Sequence, residues 1–410
     1  MPVRRIGSWG RPPAVSSHAG WRRRLGLLLL LCGLLLVAPL RAEELLRSHA
    51  GDASVRAPLA IAPVDDAWRA ALPRDAKLAT QAYLERLSKE AVQRANDYDE
   101  GGYWLPVWEL LLGLALTALL LGRRSARLRG WAQRLVRHGL MRNGMYGGVY
   151  GLLAGLLLLP LSFYRDYWRE HAYGMSTQSA VDWWIEWGIG WGIEIVGTAI
   201  AVALLYAVFR HAGERWWLWG AAACSALLAL LLLVHPVLVD PLFNSYKPLE
   251  PGPVRTAVLT MAHATGVPAD EVYAFDASRQ TKRISANVSG LGATAAIRLN
   301  DNLLNHTSLP EIRAVMAHEL GHYVLNHGPK MLMQFGLLIL FGLLFCNAAM
   351  RGLFARYGER WGTQSVADVA SLPLLSLVFS VFMLLATPVF NTIIRTQESE
   401  ADRFGLHLAR

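Results

Sequence analysis

Three cysteines in 410 residues are too few for a disulfide framework, and Cys32, Cys224 and Cys346 each sit inside an apolar run, so a cysteine metal site is excluded as well. Cys32 follows "LLLLL" with no small residue directly before it, which argues against a lipidated cysteine. Charge is scarce too, at 17% of residues against 53% hydrophobic, with 15 tryptophans. That balance belongs to a polytopic membrane protein rather than a soluble domain. Acidic side chains are outnumbered, 31 against 40 basic ones, for a formal charge of +9. The arginines gather between apolar segments instead of along one recognition helix with interleaved aromatics. Membrane orientation therefore accounts for them, and nucleic acid is not implied as a partner. No internal repeat and no low-complexity tract beyond leucine-rich runs is present.

What is present is a series of apolar runs. A basic N-terminus leads into Leu25–Leu40, which reads as a secretory signal sequence or as a short first transmembrane helix, being shorter than the ~20 residues of a comfortable span. Residues 43 to about 103 are polar and predict a soluble helical segment. Further spans are expected near 104–122, 147–163, 183–209, 217–238, 331–349 and 371–390, making about seven with the first. The span at 183–209 carries Glu186 and Glu194, carboxylates that lipid would not tolerate. Glu194, the deeper of the two, is expected in a water-filled cavity, whereas Glu186 either does the same or reaches the interface among its tryptophans.

Between residues 239 and 330 lies the one sizeable soluble stretch of the C-terminal half, and it reads as mixed α and β. "VRTAVLTMAHATGV" has helical apolar spacing; "EVYAFD", "RISANVSG" and "TAAIRLN" read as short strands, with a turn at Gly290-Leu291-Gly292.

The chemistry concentrates in "TSLPEIRAVMAHELGHYVLNHGP". Ser308 with Glu311 forms a capping box, Pro310 occupies the first turn, and Gly328-Pro329 is expected to stop the helix. His318 and His322 then lie one turn apart on one face, where both imidazoles reach one metal ion, and Glu319 projects beside them to take a proton from water. This is the H-E-x-x-H arrangement of zinc peptidases. His327, five residues past His322, falls on another face and suits a helix-end or supporting role better than a ligand's.

A catalytic zinc site needs one more protein donor, and "NTIIRTQESEADRFGLHLAR" supplies candidates in Glu398, Glu400 and Asp402. This tail also reads as a helix, on which Glu398 and Asp402 share a face and Glu400 points away. A carboxylate pair so spaced divides the work, one binding metal and the other orienting a histidine, although a charged surface helix has the same spacing.

Taken with "PLFNSYKPLEPGPVR", "FDASRQTKRISANVSGLG", "REHAYGMS" and "NTIIRTQESEAD", the motif "HELGHYVLNH" makes the chain resemble the membrane zinc peptidases of the Ste24 type, the CAAX prenyl proteases of peptidase family M48. The resemblance runs from about Tyr164 to the C-terminus. It implies one zinc per chain held by His318, His322 and Glu398, with Glu319 catalytic and with Asp402, Asn391 and Arg395 supporting the site. Ile394 stands where relatives often carry serine. The implied fold is mainly α: about seven transmembrane helices around a water-filled chamber, plus a small α+β zincin-like catalytic domain. Residues 1–42 are then the signal or first span, 43–245 the N-terminal membrane region and 246–410 the peptidase domain.

The expected activity is that of a zinc metalloendopeptidase acting on membrane-associated or prenylated peptides, with substrate extended along an edge strand near Asn287. The rival is a membrane transporter or chaperone-like protein with a non-catalytic zinc, which would have no need of Glu319. Relatives continue beyond the third ligand, so a sequence cut short at its C-terminus is expected. Partners are a peptide or protein substrate and the lipid bilayer. Arginine counts place the catalytic domain outside a bacterial inner membrane.

Overall fold

The computed structural model describes residues 66–290, 295–363 and 365–408. Helix α1 (Lys89–Gly102) starts where the Ser88 hydroxyl accepts the Ala91 N–H, and it runs into the apolar α2 (Leu105–Leu120). Gly122, at φ +85°, turns the chain into the arginine-rich α3 (Arg123–Leu135). Helix α4 (Gly139–Ser162) continues through a π-helical turn, Phe163–Trp168, to Ala172.

Ser179 caps α5 (Ala180–Ala212), which ends at Gly213 (φ +54°); a 3-10 turn, Gly213–Arg215, then hands over to α6 (Trp216–Val234). After the mixed domain, α9 (His327–Trp361) and α10 (Leu372–Leu408) complete the chain.

Among the described residues five helical stretches are long and apolar enough to cross a membrane, and the third, Ala180–Phe243, combines α5 and α6 and thus two of the expected spans. The expected run at 25–40 lies outside the described residues. Leu230, Leu231, Leu232 and Leu233 of α6 are each more than half exposed, as lipid-facing side chains should be. Helices α4 and α5 pack through a small-residue seam: a Cβ on Gly147 would stand 2.6 Å from the Cβ of Val202. Around that seam Tyr146, Tyr206, Phe209, Trp216, Cys346 and Met350 form one core. Its buried hydroxyls are satisfied, since Tyr146 meets Ser125 at 2.5 Å, Ser125 donates to the Ala370 carbonyl at 2.7 Å, and Tyr206 meets Ser371 at 3.0 Å.

The mixed domain has its own core of Val258, Val272, Ile297, Leu299, Ile312 and Met316, formed between a four-stranded sheet and helices α7 (Pro253–Ala264) and α8 (Leu309–Val324). Strands β1 (Tyr246–Pro248), β2 (Val272–Phe275), β3 (Ala286–Ser289) and β4 (Ala296–Asn300) lie in the order β1-β2-β4-β3. The β2–β4 pair is parallel and the other two are antiparallel, with Asn287 of β3 opposite Arg298 of β4. Three of these strands sit where periodicity predicts them; β1, at three residues, is too short to show a period. The turn expected at Gly290-Leu291-Gly292 lies partly outside the described residues.

Two expectations need correction. Helix α8 ends before Gly328-Pro329, at Val324, because Asn326 adopts the left-handed conformation (φ 57°) that asparagine tolerates. Pro329 instead falls in the first turn of α9, where its missing N–H costs nothing. The acidic tail is also no separate helix, since Leu372–Leu408 runs unbroken through Pro388 from the last apolar span.

Candidate metal centre

The capping box that starts α8 is formed, with the Ser308 N–H and hydroxyl donating to Glu311 at 2.7 and 2.6 Å. From that start, the 3.6-residue period brings the Nε2 atoms of His318 and His322 to 3.0 Å from one another. Helix α10 crosses this face backbone to backbone. A Cβ on Gly405 would lie 3.1 Å from the His318 nitrogen, and one on Gly321 3.3 Å from the Ala401 Cα. Only small residues permit that approach, which carries Glu398 to 3.4 Å from His318 Nε2 and 3.7 Å from His322 Nε2. Ligand atoms of His318, His322 and Glu398 all lie within 4.8 Å of one another.

Hydrogen bonds on the far side of each ring decide what the near side offers. His318 Nδ1 is 2.9 Å from Asp402 Oδ1, a carboxylate that accepts, so Nδ1 carries the proton and Nε2 a lone pair. His322 Nδ1 is 2.9 Å from His327 Nδ1, and the buried His327 places its Nε2 3.0 Å from Glu400, which Lys330 also holds at 3.3 Å. Glu400 accepts from His327 Nε2–H, which leaves Nδ1 of a neutral imidazole there to accept from His322 Nδ1. Two nitrogen lone pairs and a carboxylate oxygen therefore converge on one point. Such a donor set repels itself unless a cation sits among its members, and two imidazoles with a carboxylate suit zinc.

Burial holds the His322 imidazole below its usual range, against the opposing influence of Glu398, which keeps it a neutral donor. Burial likewise pushes the Glu319 carboxyl up to about 7; neighbouring His318 pulls it down and Glu398 pushes it further up. Glu319 stands beside the donor set without belonging to it.

Other expected residues are placed differently. Asn391 and Arg395 make no hydrogen bond to the ligand residues among the described residues; they line a cavity of about 540 Å³ with Tyr103, Pro106 and Thr387. Both precede Glu398 on α10, Asn391 by about two helical turns and Arg395 by about one. Asn287 lies on β3, an edge strand beside α8, with its side-chain oxygen buried and unpartnered. Glu194 lines a cavity of about 280 Å³ with Arg165, Glu109 and Trp187. Glu186 accepts hydrogen bonds from Gln178 at 2.6 Å and Gln280 at 2.8 Å and pairs with Arg279 at 2.9 Å, so it ties α5 to the mixed domain.

Known proteins share these features over most of the chain. The family model described as Peptidase family M48 matches residues 248–410, and the one described as CAAX prenyl protease N-terminal, five membrane helices, matches residues 71–245. Residues 248–410 are thus an M48 peptidase domain, and the two models together cover most of the chain. It is 31% identical to the metalloprotease YhfN of Bacillus subtilis over 236 residues, 58% of this chain and 55% of that protein. It is also 31% identical to CAAX prenyl protease 1 of Saccharomyces cerevisiae over 195 residues, 44% of this chain and 43% of that one. The chain thus spans about half the length of the curated relatives it matches. The crystal structure of S. mikatae Ste24p shares the fold, with a TM-score of 0.62 at 19% identity over 93% of this chain and 88% of that one.

For this M48 chain, sequence reasoning missed the His327–Glu400 link and the glycine crossing. The signal for the first was the five-residue gap between His322 and His327, unreadable without knowing that Asn326 reverses the chain. The crossing gives a direct prediction. Gly405→Val should press on His318 backbone atoms that cannot swing aside, lowering stability by about 1–3 kcal/mol. Zinc retention should fall with it, as read by a thermal melt and metal analysis; an unchanged melt with full zinc would show that the helices have room to part.

Proposed function

We propose that the protein is a zinc metalloendopeptidase of the membrane, with one zinc per chain held by His318, His322 and Glu398. The observation that carries this reading is the convergence of three donors beside a half-buried carboxylate that is not one of them. Zinc bound there supplies Lewis acidity to the scissile carbonyl and to water. Glu319 takes a proton from the attacking water and delivers it to the leaving amine, a task suited to a carboxyl held near neutrality. Asp402 fixes the His318 ring, and His327 with Glu400 fixes that of His322. The substrate lies extended against β3, whose outer edge has backbone groups to offer and where Asn287 contributes a side-chain acceptor.

Membrane-attached chains are the substrate class in this reading, prenylated C-terminal peptides among them, since relatives in yeast are named CAAX prenyl proteases. Zinc analysis of the purified full-length protein, together with cleavage of a peptide, tests the reading. Bound zinc without any cleavage would favour a non-catalytic role.

We place the peptidase domain outside a bacterial inner membrane. Arg123, Arg127, Arg134, Arg210, Arg215, Arg351, Arg356 and Arg360 gather at the opposite ends of the spans, and positive loops stay cytoplasmic. Cysteines introduced at the exposed Gln133 and Asn305 report on the two sides. In intact spheroplasts an impermeant thiol reagent should label position 305 and spare 133, measured against the unsubstituted chain. The reverse pattern inverts the topology.

A further inference from the structure

At the end of the helices farthest from the zinc ligands, a cavity of about 850 Å³ opens between the C-terminal ends of α5 and α9 and the segment Ser365–Ala367. Arg351 lies about 36 Å along α9 from His327, which places this cavity across the membrane from the metal centre. Phe209, Trp216 and Phe354 wall it, and Arg210, Arg351 and Arg356 stand at its mouth with Glu214 and Glu359.

These arginines are set up unusually. The space a side chain on Gly139 would fill is 3.4 Å from one nitrogen of the Arg210 guanidinium and 3.9 Å from one of the Arg142 guanidinium. Two like charges are therefore brought together at the start of α4. Among the described residues neither Arg142 nor Arg210, Arg351 or Arg356 pairs with a carboxylate. In the peptidase domain, by comparison, Arg255, Arg279, Arg283 and Arg298 each pair with Glu or Asp. The positive-inside bias explains why arginines lie on this side. It does not explain why Arg210 shares the space at Gly139 with Arg142 and lines one cavity with Arg351 and Arg356.

The depth of the site is marked by its neighbours. Helix α3, just before the Gly139 turn, combines Arg123, Arg127 and Arg134 with Trp131 and Leu135, which are 45% and 61% exposed. Arginines beside exposed aromatic and aliphatic side chains characterise a helix at headgroup level. On α6, Leu218 and Trp219 are lipid-facing next to the cavity wall.

We propose that this cavity binds the phosphate headgroup of an anionic phospholipid, with Arg210 and Arg351 on the phosphate, Arg142 adding positive charge beside Arg210, and the acyl chains running along α6. Guanidinium pairs are matched to phosphate geometry, and the membrane supplies that ligand at this depth.

The test uses the purified full-length protein in detergent, with phosphatidylglycerol or phosphatidylcholine added and retained lipid read by native mass spectrometry. Phosphatidylglycerol should be retained in preference to phosphatidylcholine. The double variant Arg210→Gln with Arg351→Gln should lose that preference by about tenfold or more, the weight of two arginines at a membrane surface. Arg255→Gln, at the other end of the molecule, should keep it. Thermal melts of each variant check that it is folded. Equal retention of the two lipids by the unsubstituted protein overturns the proposal without reference to any variant. So does a folded double variant that keeps the preference. Inorganic phosphate that displaces phosphatidylglycerol with the same arginine dependence would assign the site to a soluble phosphate and also overturn it.

Discussion

Glu319→Gln should leave zinc bound at the level of the unsubstituted protein and slow peptide cleavage by about a hundredfold or more. The donor set consists of His318, His322 and Glu398, so exchanging the Glu319 carboxylate for an amide removes no ligand. What it removes is a group beside the cluster suited to accept and return a proton at neutral pH, since burial pushes that carboxyl up to about 7. The amide has almost the same shape and fits the half-buried site, so the melt should change little. Metal content by elemental analysis and turnover on one peptide, measured on the same preparation, separate the effects. Parental turnover with zinc retained would remove Glu319 from the mechanism; joint loss of zinc and turnover would make it a ligand.

Glu398→Ala should strip the metal. It deletes one of three protein donors, and the other two carboxylates of the tail are already engaged: Asp402 with His318 Nδ1 and Glu400 with His327 and Lys330. Asp402→Ala should weaken zinc binding by about 10- to 100-fold, because His318 keeps its lone pair but loses the bond that orients its ring. Glu400→Ala acts through two hydrogen bonds and one intervening imidazole, so its loss should be the smallest of the three. Dialysis against graded chelator, followed by metal analysis, ranks them. Greater zinc loss from Glu400→Ala than from Glu398→Ala would reverse the ligand assignment.

That ranking is where local and tertiary information part. Periodicity alone placed His318 with His322, and Glu398 with Asp402, each pair on one helical face, because residues four apart share a face in any α-helix. The apolar runs similarly declared the spans, since lipid leaves a backbone few alternatives to helix. The capping box at Ser308 could be read because its partners are three residues apart, and three of the strands could be read from their alternation.

Other features depended on contacts between distant segments. Glycines at 321 and 405 carry no local message; their importance appears only when two helices separated by some eighty residues cross without room for a Cβ. Glu186 offered two readings until Gln178, Arg279 and Gln280 were seen around it. That Asn391 and Arg395 of α10 share a cavity with Tyr103 and Pro106 of a distant segment was likewise not legible in the sequence. The link from His322 through His327 to Glu400 needed a left-handed Asn326 to reverse the chain and a second helix to bring the carboxylate. By itself, then, the sequence determined the helices, their membrane character and which side chains share a face, all of which follow from interactions within a few residues. The tertiary structure alone decided which faces meet, and so which carboxylate lies among the candidate donors and which bonds to a histidine ring, because such contacts are set by distances that no spacing along one helix contains.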